Sequence, residues 1–426
     1  MKKKYHVLAS LLIVSFMSSI AQVSEGYQQN LSNYLEVNID LENVKSELQN
    51  APLKGLVSDI RSSTVIINLP VPSGGTQQFR VVEAPMMSPE LSAQMPDFKS
   101  YVAQGIDDPT ASARFNITPI GFYGLIKGIN GISIIEQVDK TSRDNRYITY
   151  YDHDITSTNQ NIFCESDQRI DETNMSQQGS RTNSCFQNGA SLRSYDMIVT
   201  CSGEFYALNG GTIGTVQAAL LARVAQINAI YEPELAVTFS IVEYLLNSNP
   251  ATDPFTDPTN TSTSISQANT YITSNASVPF DIGHGFHEIT CGGGCGWAGR
   301  AGVGVVCTAS KANGYTYLPN DIPTSVTVLL HEIGHMFSSY HTNYGCDSEN
   351  SCERYEPGQG TSIMSTGANC DAGDLFASRT DYFGIGSLQS MMNFTATGTV
   401  PFGDPTCSSG VSGGWTDCST STASGN

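Results

Sequence analysis

The sequence predicts an α/β domain with a mostly parallel sheet, preceded by a mostly β domain. Two observations lead to this fold class. In the second half of the chain, strand-like and helix-like patterns alternate, which is the order of crossover units in a parallel sheet. In the first half, short apolar runs are separated by turn signals, a pattern typical of strands joined by hairpins. The 426 residues suffice for two domains with sizeable cores.

The N-terminus has the pattern of an export signal. Three lysines follow Met1 and precede an apolar run from Val7 to Ile20 that ends among small residues. This predicts a signal peptide over residues 1–21, cleaved after Ala21. A short membrane anchor is the alternative, but serines interrupt the run and it is short for a bilayer. We therefore expect a secreted, extracellular protein that does not associate with a membrane.

Residues 22–155 are predicted to form the mostly β domain. The runs at 64–69 and 78–82 are strand-like, and Pro-Ser-Gly-Gly between them is a hairpin signal. His153, between two aspartates, is interpreted as part of a solvated turn. Further strands are expected at 113–117, 121–126 and 147–151.

The rest of the chain divides by composition. Residues 156–190 are rich in Ser, Thr, Asn and Gln, which predicts a polar linker where maturation cleavage would fall. Residues 397–426 form a Gly/Ser/Thr-rich tail with too little apolar content to fold alone. The stretch between them, residues 191–396, is predicted to be the second folded domain.

The second domain opens with a predicted crossover unit. A strand at 197–201 precedes a helix at 213–231 with an apolar stripe, and a strand at 236–244 follows. This order implies a largely parallel sheet. Farther on, the run 278–286 alternates as an amphipathic strand would.

The most informative stretch runs from His331 to His341 and reads H-E-x-x-H-x-x-S-x-x-H. In a helix, His331 and His335 lie on one face with Glu332 beside them, and His341 completes the set if the chain then turns. Three neutral imidazoles can hold zinc and leave a fourth position for water, whose pKa the ion lowers to about 7. The natural role for Glu332 is that of general base toward this water.

Coincidence is a poor explanation for this run. The chain has seven histidines, and three of them fall in these eleven residues. The flanking sequence predicts a buried helix, because apolar residues recur at helical spacing. These residues are Val326, Leu329, Leu330, Ile333, Phe337 and Tyr340.

A second element follows downstream, where Ser362-Ile363-Met364-Ser365 comes after a glycine-rich segment that can form a tight turn. A methionine in such a turn is usually a packing residue. An elongated histidine motif followed by a methionine turn is, however, the metzincin signature. Met364 is therefore the candidate for the structural Met-turn.

These motifs together resemble metzincin zinc metalloproteases, and more narrowly the reprolysin (adamalysin)-like family in its bacterial secreted form. The resemblance covers roughly residues 191–396. Besides the histidine run, it is carried by the segments 194–199, 203–206, 281–284, 302–307, 355–358 and 362–364.

The resemblance implies a metzincin-type catalytic domain, with a mostly parallel twisted sheet, an active-site helix and a C-terminal subdomain. Such a domain hydrolyses internal peptide bonds of proteins or peptides. The resemblance also implies that the strand at 278–286 is the sheet edge to which an extended substrate adds. The roles it implies are those argued from the residues: His331, His335 and His341 as ligands of one catalytic Zn²⁺, Glu332 as catalytic base and Met364 in the Met-turn.

Two positions depart from the family pattern. Ser338 stands where the family usually has glycine, at the point where the active-site helix ends and the chain turns toward the third histidine. A serine with positive φ loses about 1 kcal/mol there. Thr342 stands where many reprolysins have an aspartate, so any anchoring role of that carboxylate is absent from this position.

The N-terminal domain also carries a resemblance. The segment 79–91, with 105–109, resembles the propeptides of bacterial reprolysin-like enzymes, which implies a prodomain that inhibits the enzyme or assists its folding. All eleven cysteines follow residue 160, which suits an oxidising compartment and disulfide bonds. As an alternative to disulfide bonding, a thiolate from Cys164 or Cys185 could occupy the open zinc position and keep the zymogen latent.

The formal charge of −19 argues against nucleic acids and anionic membranes as partners, since both repel an acidic surface. Ca²⁺ is a possible second ion, but no EF-hand or other calcium loop places it. We expect a monomer. The rival function is a catalytically silent binding or adhesion protein on a metzincin scaffold, and an amidase or other metal hydrolase is a third possibility.

His284 and His287 invite a second-metal interpretation. Three residues apart in a strand, they point to opposite faces, so structural roles are favoured.

Overall fold

The computed structural model of the chain describes residues 30–139, 144–156, 163–164, 192–256, 260–289, 298–319, 327–344, 356–357, 360–365, 380–397 and 422–423. The predicted signal peptide and most of the predicted linker and tail lie outside these ranges. The helices are α1 (Leu41–Leu48), α2 (Pro89–Gln94), α3 (Gly203–Leu208), α4 (Ile213–Leu235), α5 (Thr261–Asn275), α6 (Thr327–Met336) and α7 (Ile385–Thr397). The strands are β1 (Leu35–Asn38), β2 (Ile66–Pro70), β3 (Thr76–Glu83), β4 (Lys99–Gly105), β5 (Ser112–Ile117), β6 (Phe122–Gly128), β7 (Gly131–Gln137), β8 (Arg146–Tyr151), β9 (Phe163–Cys164), β10 (Leu192–Cys201), β11 (Val237–Leu246), β12 (Ile282–Ile289), β13 (Ala298–Ala301), β14 (Gly314–Pro319), β15 (Asn343–Tyr344), β16 (Glu356–Pro357) and β17 (Thr422–Ala423).

The N-terminal domain is built on an eight-stranded sheet in the order β1-β8-β7-β6-β5-β4-β3-β2. The predicted hairpin is confirmed, since β2 and β3 pair antiparallel with Ile66 opposite Arg80. Its central strands are buried on both faces. In β7, Ile135 faces the domain's own core, whereas its neighbour Ile134 belongs to a core shared with the second domain.

The second domain contains a mostly parallel sheet in the order β11-β10-β12-β14-β13-β9. The predicted crossover is confirmed, because β10 and β11 flank α4 in sequence and pair parallel. β12 pairs parallel with both β10 and β14. β13 runs antiparallel to β14.

The prediction that the strand at 278–286 forms the edge of the sheet is wrong. The strand there is β12, which lies inside the sheet between β10 and β14, while β13 lies near the edge. The resemblance implied the edge position, whereas the alternation along β12 comes from glycines that let α5 pack closely on one face of the strand. A Cβ at Gly285 would lie 3.2 Å from Cβ of Ala268, and one at Gly283 would meet the side chain of Ile272 at 3.1 Å.

Helix α4 lies between the two sheets and carries the shared core. Thr212 caps its N-terminus by accepting a hydrogen bond from Thr215 N, and Ala236 ends it in the left-handed region with φ of 54°. Most of its side chains are buried, including all of those from Leu220 to Tyr231. By length and composition alone this helix could cross a membrane. In the structure its apolar surface is covered by protein from both sides.

Polar contacts join the two domains around the C-terminal end of α4. Glu232 accepts hydrogen bonds from Lys54, at 2.9 Å, and from Arg114. Burial works to raise the pKa of Glu232, but Arg114 and Lys54 outweigh it and hold the pKa below its ordinary value. Lys127 reaches Glu234 at 3.2 Å in the same way. The N-terminal domain is therefore docked through both apolar and charged contacts.

Two cysteines can be described in full. Cys201 is a buried free thiol whose pKa burial raises to about 12, so it is chemically inert. Cys307 is disulfide-bonded. Cys185 lies outside the described residues, and Cys164 is described through its backbone in β9.

Candidate metal centre

Helix α6 positions the first two histidines and is buried along its whole described length. Val328, Leu329 and Ile333 pack into the shared core, which confirms the predicted buried helix, although Val326 lies outside the described residues. Tyr231 on α4 donates a hydrogen bond to Leu330 O at 2.8 Å. The helix is thus fixed immediately before His331.

The three histidines of the run meet at one point. His331 Nε2 lies 3.0 Å from both His335 Nε2 and His341 Nε2, and the last two atoms are 3.1 Å apart. A tetrahedral zinc ion with bonds of about 2.0–2.1 Å needs nitrogens about 3.3–3.4 Å apart. A small adjustment of the rings therefore fits the triangle to zinc. Among the described residues, this is the group of histidine, cysteine and acidic side chains close enough to share a metal.

Backbone carbonyls fix the tautomers of two of these rings. His331 Nδ1 lies 2.8 Å from Ile363 O, and His335 Nδ1 lies 2.7 Å from Ser339 O. Because a carbonyl only accepts, each Nδ1 carries the proton and each Nε2 offers its lone pair to the centre. Burial, together with His341, holds the pKa of His335 well below its ordinary value. The His335 ring is therefore neutral, and the Nε2 atoms of both rings are oriented to act as ligands.

The chain turns toward His341 at Ser338. This residue has φ of 75°, in the left-handed region, and its hydroxyl has no hydrogen-bond partner among the described residues. Ser338 N donates to His335 O at 2.7 Å and Ser339 N donates to Gly334 O at 3.0 Å. These two bonds are the Schellman pattern of a helix end. The turn is made as the sequence predicted, with serine in a position that favours glycine.

Met364 is fully buried and lies against α6 at Gly334. A Cβ at Gly334 would lie 2.4 Å from Met364 Sδ, so only glycine lets the methionine pack directly against the helix. Met364 O accepts a hydrogen bond from Thr342 N at 3.2 Å. The turn therefore contacts both α6 and the segment that carries His341.

Glu332 is buried on the side of the helix that faces β13. A Cβ on Gly299 would lie 2.3 Å from Glu332 Oε1, so the carboxylate abuts the backbone of that strand. Gly299 is also paired with Cys164, because β9 runs parallel to β13 at this point. A short segment inside the predicted linker, residues 163–164, thus pairs with the strand that abuts the carboxylate.

Glu356 belongs to the site and was missed as a functional residue. Its carboxylate accepts from Thr361 N at 2.9 Å, Ser362 N at 3.0 Å and Ser362 Oγ at 2.6 Å, and also from Thr342 Oγ1. Burial works to raise its pKa, but the hydrogen bonds from Ser362 and Thr342 outweigh it and hold the pKa low. The sequence signal for this role is Thr342, which stands where many reprolysins have an aspartate. With threonine there, another residue has to supply a carboxylate to the turn.

His284 and His287 take structural positions, as the strand geometry predicted. Both are fully buried; His284 Nε2 lies 2.8 Å from Thr316 Oγ1, and His287 Nδ1 lies 2.7 Å from Ser202 Oγ. Burial lowers the pKa of His284 to about 3 and that of His287 to about 4. Both rings are therefore neutral at physiological pH.

Comparisons with known proteins bear on this site. Residues 191–377 match the family Reprolysin_5, described as metallo-peptidase family M12. A search of curated proteins found no match. Among solved structures, metalloproteinase-II from Bacteroides fragilis is similar at 11% identity and a TM-score of 0.43, over 84% of this chain and 96% of that one. The family match spans the histidine triangle and Met364.

Proposed function

We propose that the chain is a secreted zinc endopeptidase made as a zymogen, in which Glu332 activates the attacking water. The match of residues 191–377 to metallo-peptidase family M12 supports this proposal. The observation that carries the proposal is the buried triangle of three Nε2 atoms, 3.0–3.1 Å apart, with a carboxylate beside it. A silent binding protein is not favoured, because the histidines and Glu332 are all present and assembled.

His331, His335 and His341 would hold one zinc ion. When bound, the ion supplies a Lewis acid for the scissile carbonyl and lowers the pKa of a water to about 7. The hydrogen bonds from His331 Nδ1 to Ile363 O and from His335 Nδ1 to Ser339 O keep both rings in the tautomer that binds metal. The ligands are thus oriented by the backbone before any ion arrives.

Glu332 would move the proton. As a carboxylate next to the first histidine, it can take a proton from the attacking water and deliver it to the nitrogen of the leaving amine. Its contact with Gly299 supports a location of this chemistry beside β13. A peptide substrate that pairs with β13 would bring its scissile bond to the same place, and backbone hydrogen bonds would bind it in extended form.

The test is Glu332→Gln in the processed protein. Without the base, casein digestion should fall by about 10²–10⁴-fold, while zinc content stays at the wild-type level. A chelator should abolish digestion by the wild type. Undiminished digestion by the variant would contradict the proposed role of Glu332.

The N-terminal domain would keep the precursor inactive. The support is the pairing of β9 with β13, which puts the backbone of Cys164 opposite Gly299 and leaves no room for a substrate strand there. Of the two cysteines proposed as thiolate ligands, this favours Cys164. Cleavage of the chain between residues 165 and 191 would break the covalent link between β9 and the second domain, so that β9 could dissociate from β13.

Latency is tested with Cys164→Ala and Cys185→Ala in the uncleaved chain. If the Cys164 thiolate holds the zymogen inactive, the first variant should digest casein before cleavage and the second should not. Equal latency of both variants and the wild type would leave inhibition to the strand pairing alone and remove the thiolate role. N-terminal sequencing of the secreted product would test the signal peptide and locate the maturation site.

A further inference from the structure

We propose that Glu356 is a positioning residue for the metal site, supplying from a different segment the carboxylate that position 342 lacks. The inference rests on the proposed zinc endopeptidase function. It assigns to Glu356 the task of holding both the Met-turn and the His341 segment in the geometry that the three ligands need.

The first link runs through the Met-turn. Glu356 Oε1 accepts hydrogen bonds from two successive backbone N–H groups, those of Thr361 at 2.9 Å and Ser362 at 3.0 Å. The next residue, Ile363, accepts from His331 Nδ1 at 2.8 Å. The carboxylate therefore fixes the peptide units that orient the first histidine.

The second link runs to the third histidine. Glu356 Oε2 accepts from the hydroxyl of Thr342, which follows His341 directly, and Glu356 N donates to Thr342 O at 2.9 Å. Ser362 Oγ donates to the same carboxylate oxygen at 2.6 Å. One carboxylate thus ties the His341 segment to the turn.

The donor set favours an anion. Backbone N–H groups cannot rotate to become acceptors, so Oε1 must stay an acceptor, and three hydroxyls and two amides converge on one side chain. Removing the carboxylate leaves these donors without their acceptor and weakens the link between the two segments, which the hydrogen bond from Thr342 N to Met364 O still joins. Partners that orient metal ligands in this way typically contribute about 10–100-fold to metal affinity.

The test compares carboxylates at two positions. Glu356→Ala should weaken zinc binding about 10–100-fold, measured by competition with a chromophoric chelator. Thr342→Asp alone should also weaken it, because two carboxylates would lie within hydrogen-bond distance. Combined, Glu356→Ala with Thr342→Asp should recover zinc affinity, since the aspartate restores a carboxylate to the same donors. Thr342→Asp should thus lower zinc affinity when Glu356 is present and raise it in the Glu356→Ala background. A mere loss of packing does not produce this reversal.

Glu243→Ala is the matched control. Glu243 on β11 also accepts from a backbone N–H and a hydroxyl, those of Ser277, at 2.9 and 2.7 Å. Its removal should leave zinc affinity unchanged. If Glu356→Ala fails to fold, Glu356→Gln keeps the size of the side chain and should still weaken zinc binding.

Two failures are distinguishable. A wild type that binds no zinc and cleaves no peptide overturns the proposed function. If the wild type binds zinc and cleaves, two results overturn the positioning role alone. One is a Glu356→Ala variant that binds zinc as tightly as the wild type. The other is a Thr342→Asp change that shifts zinc affinity in the same direction with and without Glu356.

Discussion

The metal centre has two halves that are held in different ways. In the helix half, His331, Glu332 and His335 lie on one buried helix, and their relative positions follow from its periodicity. In the turn half, His341 and Met364 lie on irregular backbone and are held by hydrogen bonds between segments distant in sequence. The helix half is therefore fixed by local structure, whereas the turn half depends on tertiary contacts such as those of Glu356.

The largest effect on the helix half should come from outside it, at Gly299. In Gly299→Ala, a Cβ would lie 2.3 Å from Glu332 Oε1, so the carboxylate must move away from its place beside the histidines. Casein digestion by the processed protein should fall by about 10²-fold or more, with zinc content unchanged. Gly214→Ala, in α4 of the same domain, is the control, because its Cβ would have no contact closer than 3.8 Å. Equal activity of the two variants would show that Gly299 does not constrain Glu332.

The contact between the halves is tested at Gly334. An alanine in a helix usually stabilises by up to about 1 kcal/mol relative to glycine. Here a Cβ would lie 2.4 Å from Met364 Sδ, so Gly334→Ala should destabilise the protein by about 1–3 kcal/mol. Gly214→Ala, in α4, has its nearest contact at 3.8 Å and should stabilise or be neutral. Thermal unfolding of both variants checks the predicted difference in sign, and a stable Gly334→Ala would mean that Met364 does not press on the helix.

The smallest effect is expected where the halves join. Ser338 has φ of 75° and its buried hydroxyl lacks a hydrogen-bond partner among the described residues. Ser338→Gly should therefore raise stability by about 1 kcal/mol, with proteolysis equal or higher. A lower melting temperature would show that the serine is adapted to its turn.

The same division explains what could be predicted from sequence. Helical spacing predicted α6 and the meeting of His331 with His335, and strand-helix-strand order predicted β10, α4 and β11. The role of Glu356 could not be predicted, because it is set by contacts with residues 342, 361 and 362. The edge strand was misplaced because it was inferred from the resemblance, whereas the strand order here is set by the pairing of β12 with both β10 and β14. The docking of the N-terminal sheet on α4 is likewise a tertiary event.

The most direct test of the central claim is the zinc content of the purified full-length chain, measured by mass spectrometry of metals after dialysis. The wild type should hold one zinc ion per chain, and His341→Ala, which removes one corner of the triangle, should lose most of it. A wild type without zinc, or a His341→Ala variant that holds as much as the wild type, would contradict a metal centre built from His331, His335 and His341.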